Sequence, residues 1–215
     1  TYPVTLVTTS ASGTDSTIKN AYITVNNPPQ ATTTAGGNTT FCSGGSVVLS
    51  ANTGAGQTYQ WKKNTANISG ATAANYTAKT TGTYYVTITN SFGCTNTSSG
   101  LIVTANPKPT AILSAGGATT FCPGDSVVLA ASQGSGYTYS WKKNLTTIAG
   151  ATTSTYAAKA SADYKVVVTN GFGCSKTSNI IPVVVNTPKA TITVPGSSSV
   201  CNGNGVLLKA NTGAG

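Results

Sequence analysis

The chain has 215 residues and a formal net charge of +9, which arises from 12 lysines and three carboxylates, Asp15, Asp125 and Asp163. It contains no His, Glu, Arg or Met. Because general acid–base catalysis and metal binding draw on His, Asp, Glu and Cys, this composition argues against an enzyme, and we expect no cofactor. The 40 Thr and 22 Ser residues favour strands and turns over helices, so the sequence predicts an all-β protein.

The positive charge does not indicate a nucleic-acid partner. Arg is the side chain that binds base edges and phosphates in a bidentate manner, and the chain has none. The lysines are dispersed, and the only adjacent pairs are Lys62–Lys63 and Lys142–Lys143. We interpret them as part of a soluble surface on which Lys protects exposed strand edges. No long apolar run occurs, so we expect no membrane-spanning segment in this sequence.

Residues 1–27 resemble the end of a domain, because two strand-like segments, 2–15 and 22–25, are not preceded by the rest of a core. The chain opens in the middle of this pattern and shows no signal peptide. We therefore expect it to be an excerpt of a longer secreted protein.

An internal repeat determines the organisation of the rest of the chain. Three motifs recur at one constant offset, namely 39–51 as 119–131, 61–64 as 141–144, and 90–94 as 170–174. A third copy starts at Val200-Cys201 and stops at residues 211–215, which repeat residues 52–56. Junctions that contain proline separate the copies. The predicted domains are 1–27 (the end of a domain), 28–106, 107–187 and 188–215 (the start of a further copy).

Each complete copy predicts six or seven short strands. In the first copy, strand-like runs separated by turn residues occupy 46–51, 58–63, 75–79, 83–89 and 101–105, and a further strand precedes Cys42. Alternation along 83–89 predicts that Tyr84, Val86 and Ile88 face inward. This number of strands in about 80 residues is close to that of an immunoglobulin-like sandwich.

Several residues resemble landmarks of the immunoglobulin (Ig) fold. Residues 46–51 resemble strand B, while Trp61 and Trp141 occupy the place of the core tryptophan of strand C. Tyr84 and Tyr164 resemble the tyrosine of the corner before strand F. The two core cysteines of that fold are replaced here by Ala51 and Val86, and in the second copy by Ala131 and Val166.

The cysteines lie instead just before strand B, in Cys-x-Gly, and just after strand F, in Gly-Cys. This pattern resembles the Ig-like repeats of very large surface proteins of Bacteroidetes, which include gliding-type adhesins exported by type IX secretion. Residues 1–27 resemble the last two strands of a polycystic-kidney-disease-type (PKD) repeat. The resemblance implies tandem Ig-like β-sandwiches arranged end to end on the bacterial cell surface.

The function that this resemblance implies is structural, with each copy a rigid spacer in a stalk or filament of an extracellular adhesin. Its partners would be neighbouring repeats of the same chain, and surface glycans or other filament chains. One alternative is that the repeats bind glycans or a protein partner themselves, through Tyr59, Tyr137, Tyr139 and nearby lysines. Another is that they are spacers beside a secreted polysaccharide hydrolase.

Other candidate sites have weaker support. Asp15 and Asp125 are too few to hold Ca²⁺, which takes about six or more oxygen ligands. Zinc is disfavoured because no Cys-x-x-Cys occurs. Ser16 and Ser126 lie in Asp-Ser-Thr and Asp-Ser-Val triplets, which resemble a short bacterial O-glycosylation signal.

Disulfide pairing follows from the resemblance, because in an Ig sandwich the two cysteine positions lie at opposite ends. A bridge between Cys42 and Cys94 would span roughly 20–30 Å, whereas Cα atoms in a disulfide lie within ~7 Å. We therefore expect Cys42 to bond to Cys174 of the next domain, while Cys94, Cys122 and Cys201 pair outside the excerpt. The alternative is a bridge within each domain, Cys42–Cys94 and Cys122–Cys174.

Overall fold

The computed structural model describes residues 1–196, 198–203 and 205–210, and all regular elements in these ranges are strands. The prediction of an all-β chain is therefore confirmed. The chain divides into two compact units, Thr1–Pro107 and Lys108–Gly215. Residues 211–215, which end the predicted third copy, lie outside the described residues.

The first unit contains a hairpin followed by a sandwich. The hairpin strands pair antiparallel, and nearly all of their side chains are exposed on both faces. The strands of the unit are β1 Tyr2–Ser10, β2 Gly13–Ile23, β3 Thr33–Ala35, β4 Thr40–Cys42, β5 Val47–Ala51, β6 Thr58–Lys63, β7 Ala66–Asn67, β8 Asn75–Ala78, β9 Gly82–Thr89, β10 Thr95–Thr97 and β11 Leu101–Asn106. The predicted strands of this copy agree closely with these bounds.

The sandwich consists of two sheets. One has the order β3-β5-β8, and the other has the order β4-β11-β9-β6-β7, with β10 paired to β9. Strand β4 runs parallel to β11, whereas β11 and β6 both run antiparallel to β9. About 75 residues thus form two packed sheets whose strand order resembles that of an immunoglobulin domain.

The second unit repeats this order. Its strands are β12 Leu113–Ala115, β13 Thr120–Phe121, β14 Val127–Ala131, β15 Thr138–Lys143, β16 Thr146–Thr147, β17 Thr155–Ala158, β18 Ala162–Thr169, β19 Ser175–Thr177, β20 Ile181–Val185, β21 Ile192–Thr193 and β22 Lys209–Ala210. Trp141 pairs with Val166 across β15 and β18, as Trp61 pairs with Val86 across β6 and β9. The last two strands pair Ile192 with Ala210, in the register in which Leu113 pairs with Ala131.

A small apolar core lies between the two sheets of each sandwich. In the first sandwich it comprises Val47, Leu49, Ala51, Trp61, Ala78, Tyr84, Val86, Ile88 and Val103. The inward orientation predicted for alternate residues of β9 is confirmed, because Tyr84, Val86 and Ile88 are at most 1% exposed. Side chains alternate between the faces of a strand, so the intervening residues remain on the outer face of the sheet.

Trp61 and Trp141 are fully buried in these cores. The indole Nε1 of Trp61 donates to the carbonyl of Ala73 at 2.9 Å, and that of Trp141 donates to the carbonyl of Thr153 at 2.8 Å. A buried indole usually has such a partner, since an unsatisfied donor in an apolar core is costly. Each tryptophan therefore also joins its own sheet to a loop of the opposite sheet, namely the loop before β8 in the first sandwich and before β17 in the second.

Tyr84 and Tyr164 are buried and close a corner of each sandwich. The hydroxyl of Tyr84 donates to the carbonyl of Thr80 at 2.9 Å, and that of Tyr164 donates to the carbonyl of Ala160 at 3.0 Å. Burial is the main reason that the pKa of Tyr164 is raised, with a smaller contribution from Tyr156. The raised pKa widens the pH range over which the phenol stays protonated and can donate this hydrogen bond.

We predict that Tyr84→Phe lowers the free energy of unfolding of the first sandwich by about 1–2 kcal/mol, because it leaves the Thr80 carbonyl without its donor. Tyr85→Phe is the matched control, since this outward-facing neighbour has no side-chain hydrogen bond among the described contacts. Urea denaturation would measure both. Equal midpoints for the two variants would contradict a stabilising role for the Tyr84 hydroxyl.

Candidate functional site at the ends of the sandwiches

The first recurring surface feature is the turn after β9, which carries Cys94. The amide of Asn90 donates to the carbonyl of Cys94 at 3.0 Å, and the amide of Gly93 donates to the carbonyl of Asn90 at 3.0 Å. Gly93 has a φ of 80°, which only glycine adopts at no steric cost. The motif Asn-x-Phe-Gly-Cys therefore closes β9 and β10 into a tight turn with the cysteine at its end.

The side chain of Asn90 holds this turn from inside. Its Oδ1 accepts hydrogen bonds from the amides of Phe92 at 3.1 Å and Cys94 at 3.0 Å. In the second unit, Asn170 Oδ1 accepts from Phe172 at 3.1 Å and Cys174 at 3.0 Å. Asn commonly caps turns in this way. Sequence reasoning found the motif as a repeat but assigned no role to Asn90, although the asparagine at its start was the available signal.

In the first unit, the same turn binds the chain segment that enters the sandwich. Asn90 Nδ2 donates to the carbonyl of Asn27 at 3.0 Å, and Asn96 Nδ2 donates to the carbonyl of Pro29 at 2.9 Å. The Cys94 thiol lies 3.5 Å from the carbonyl oxygen of Asn26. Cys94 is thus located where the chain enters its sandwich, which we call the entry end.

Cys42 lies at the opposite end of the same sandwich. It pairs with Asn106, the last residue of β11, and the amide of Ser43 donates to the carbonyl of Asn106 at 2.8 Å. Because β11 is the last strand, the chain leaves the sandwich at this point, which we call the exit end. In the second unit, β13 ends beside Val185 in the same way, and Cys122 follows β13 directly.

The strand register sets the separation of the two ends. Val103 of β11 is level with Gly82, the first residue of β9, so Asn106 extends beyond that end of β9. Thr89 and the turn with Cys94 lie at the far end of β9. At about 3.3 Å per residue, Cys42 and Cys94 are roughly 30 Å apart along the strands. A bridge requires Cα atoms within about 7 Å.

The five cysteines differ in chemical state. Cys42 and Cys174 are each disulfide-bonded, whereas Cys94, Cys122 and Cys201 are free thiols. Neither Cys42–Cys94 nor Cys122–Cys174 is therefore formed, since each of these pairs includes a free thiol. Cys174 is fully buried, and Cys94 is half-buried. Cys122 and Cys201 are exposed.

A second internal anchor is Ser98, a buried polar residue. Its Oγ accepts from the amide of Val86 at 3.1 Å and from Thr33 Oγ1 at 2.9 Å, and it donates to the carbonyl of Ser99 at 3.0 Å. It thereby fixes β3 to the sheet that carries the entry-end turn. No sequence signal indicated this role, because serine is abundant in this chain and mostly exposed.

The aromatic residues considered for glycan binding are not arranged as an exposed platform. Tyr59, Tyr137 and Tyr139 are half-buried and pack against the cores. Tyr139 donates its hydroxyl hydrogen to the carbonyl of Ser132 at 3.3 Å. A sugar-stacking face needs an accessible ring, and these rings are largely covered by their own sandwich.

Ser16 is exposed in β2, and Ser126 is exposed directly before β14, so O-glycosylation at these residues stays a prediction. Within the described residues, no group of three or more His, Cys, Asp or Glu side chains could hold a metal ion. The same part of the chain has no helix with the length and apolar character that a membrane crossing requires.

Comparison with known families finds a match within the first unit. Residues 29–107 match the family described as Ig-like domain, CHU_C associated. This segment is an Ig-like domain. The second unit repeats its strand order and register, so the prediction of tandem Ig-like sandwiches is confirmed. No curated protein matches the sequence.

Among solved structures, the chain is similar to the I-band fragment I67–I69 from titin, at 13% identity and a TM-score of 0.42, over 88% of this chain and 78% of that one. It is also similar to murine CEACAM1b, at 17% identity and a TM-score of 0.35, over 73% of this chain and 100% of that one. A marsupial T cell receptor matches at 13% identity and a TM-score of 0.40, over 77% of both chains.

We predict that Asn90→Ala accelerates amide hydrogen exchange at Phe92 and Cys94 by about tenfold, because both amides lose the Oδ1 acceptor and a lost hydrogen bond is worth about 1–1.5 kcal/mol. Asn75→Ala is the matched control, an exposed asparagine in β8 with no side-chain hydrogen bond among the described contacts. Exchange measured by NMR would test this. Unchanged rates at both amides in Asn90→Ala would exclude the side chain as the support of the turn.

Proposed function

We propose that this chain is a structural segment, a rigid stalk or filament, of a large secreted bacterial surface protein of the adhesin class. Its relatives would be the repeat proteins that Bacteroidetes export by type IX secretion, with residues 1–27 as the tail of a PKD-like repeat. Each sandwich serves as a spacer, arranged end to end with its neighbours and stabilised by its own core and by adjacent repeats. Ig-like domains with a disulfide are typical of extracellular proteins.

One observation carries this proposal: the motifs that contain the cysteines recur in both sandwiches and lie at their two ends. These are the cysteine after β4 and β13 and the Asn-x-Phe-Gly-Cys turn after β9 and β18. The outer faces of the sheets recur only in part: Val48 and Lys62 have identical counterparts, whereas Tyr85 corresponds to Lys165 and Gln60 to Ser140. Cysteine motifs at both ends are suited to linking sandwiches, and outer faces that recur only in part are less suited to presenting the same ligand site on each repeat.

The end residues lead us to propose a covalent bond between successive repeats, Cys42–Cys174. Cys42 is at the exit end of the first sandwich, and Cys174 is in the turn that corresponds to the entry-end turn of Cys94. Both residues are disulfide-bonded. By the same rule, the free thiol of Cys94 would pair with a preceding repeat, and those of Cys122 and Cys201 with following repeats.

Tryptic mapping of the oxidised full chain without reduction tests this pairing. Cys42 lies in peptide 20–62 and Cys174 in peptide 166–176, whereas Cys94 and Cys122 share peptide 80–142 because Pro109 blocks cleavage after Lys108. We predict that 20–62 and 166–176 are joined to each other and that 80–142 is alkylated at both thiols. A species joining all three peptides would refute the bond between repeats. Cys42→Ser, the control, should leave Cys174 open to alkylation.

The stalk function itself makes two predictions for the full chain. Small-angle X-ray scattering should give an elongated particle, because the short junctions that contain proline restrict the hinge between sandwiches. A compact particle would contradict the spacer arrangement.

A glycan array should retain no ligand. Specific micromolar binding to an array glycan would instead support the rival function, in which the repeats are themselves binding modules.

A further inference from the structure

We propose that the Cys42–Cys174 bond limits how far the pair of sandwiches can extend under tension. The proposal rests on the pairing put forward above and adds a mechanical function to it. Cys42 lies close to the start of the matched Ig-like segment at residue 29, and Cys174 lies equally close to the end of the second copy at residue 187. The bridge therefore closes the intervening chain, 43–173, into a covalent loop.

Tension along a cross-linked chain follows its shortest covalent path. Without the bridge, unfolding both sandwiches frees residues 29–187, which span at most about 520–570 Å at ~3.3–3.6 Å per residue. With the bridge, the path runs from residue 29 to Cys42, across the sulfurs, and from Cys174 to residue 187. This shorter path spans at most about 85–95 Å. The loop thus withholds about 430–470 Å of chain from the pulling force.

The bridge also determines which strands feel the force. In the first sandwich, the path includes β3 and β4 and leaves β5 to β11 inside the loop. In the second, it includes β19 and β20 and leaves β12 to β18 inside the loop. Both tryptophans and both corner tyrosines lie within the loop, so force that detaches the outer strands does not pull directly through either core.

The spacing of the remaining cysteines extends this behaviour to a longer array. The segment from Cys94 to Cys122 has almost the same length as the segment from Cys174 to Cys201. Suppose that each exit-end cysteine bonds to the cysteine in the entry-end turn of the next repeat. The shortest covalent path through the array then alternates between one disulfide and one such segment of free chain, and each of these steps covers two repeats. This path spans at most about 90–100 Å per pair, even when every sandwich has unfolded.

Single-molecule pulling on the full chain, with handles at both termini, tests the inference. We expect the oxidised chain to unfold with about 430–470 Å less total extension than the chain in reductant. Cys42→Ser should show the long extension under oxidising conditions, because it lacks the bridge. Cys94→Ser should behave as the unaltered chain, since Cys94 is a free thiol.

The outcomes separate this inference from the pairing on which it rests. Peptide mapping is performed on the same oxidised sample. If the joined peptides 20–62 and 166–176 are present and the oxidised chain still reaches the full length of the reduced chain, the mechanical inference is wrong and the pairing stands. If those joined peptides are absent, both are wrong.

Discussion

The parallel pairing of β4 with the end of β11 is the constraint on which the rest of this molecule depends. It places the exit-end cysteine beside the last residue of its sandwich, while the antiparallel pairing of β11 with β9 sends the entry-end turn to the other extremity. A sandwich with this register cannot join its own two cysteines, because their separation is several times the reach of a disulfide. The proposed bond between successive repeats follows from this register.

The same arrangement leaves the core without a covalent bond. Where the usual Ig fold places its two bridged cysteines, Ala51 and Val86 are buried among apolar side chains. Cohesion comes instead from the tryptophan, whose ring lies 5.9 Å from that of Tyr76, and from the indole and phenol hydrogen bonds. Small cores of this kind are marginal by area alone, so fully satisfied polar groups contribute to the specificity of the packing.

Much of the fold could be predicted from the sequence, because its determinants are local or periodic. The constant offset between the copies, the alternation along β9 and the positions of Trp61 and Tyr84 all depend on residue type and spacing. The role of Asn90 depends on which backbone amides a turn leaves unpaired, and Ser98 acquires its role only when β3 of one sheet packs against β9 of the other. Such contacts are set by tertiary geometry, which spacing alone does not encode.

Because the core clusters contain no cysteine, folding of a sandwich and formation of its disulfides need not occur together. We expect each sandwich to fold in a reducing solution, since no cysteine belongs to the cluster of buried residues between its sheets. The motif cysteines lie at the two ends of each sandwich and outside these clusters, so the proposed bond between repeats would form after folding. Under the proposed pairing, folding and cross-linking are separate stages, and the second begins only once an oxidant is available. In that proposal, a precursor that is already folded acquires its covalent bonds only when it meets an oxidant.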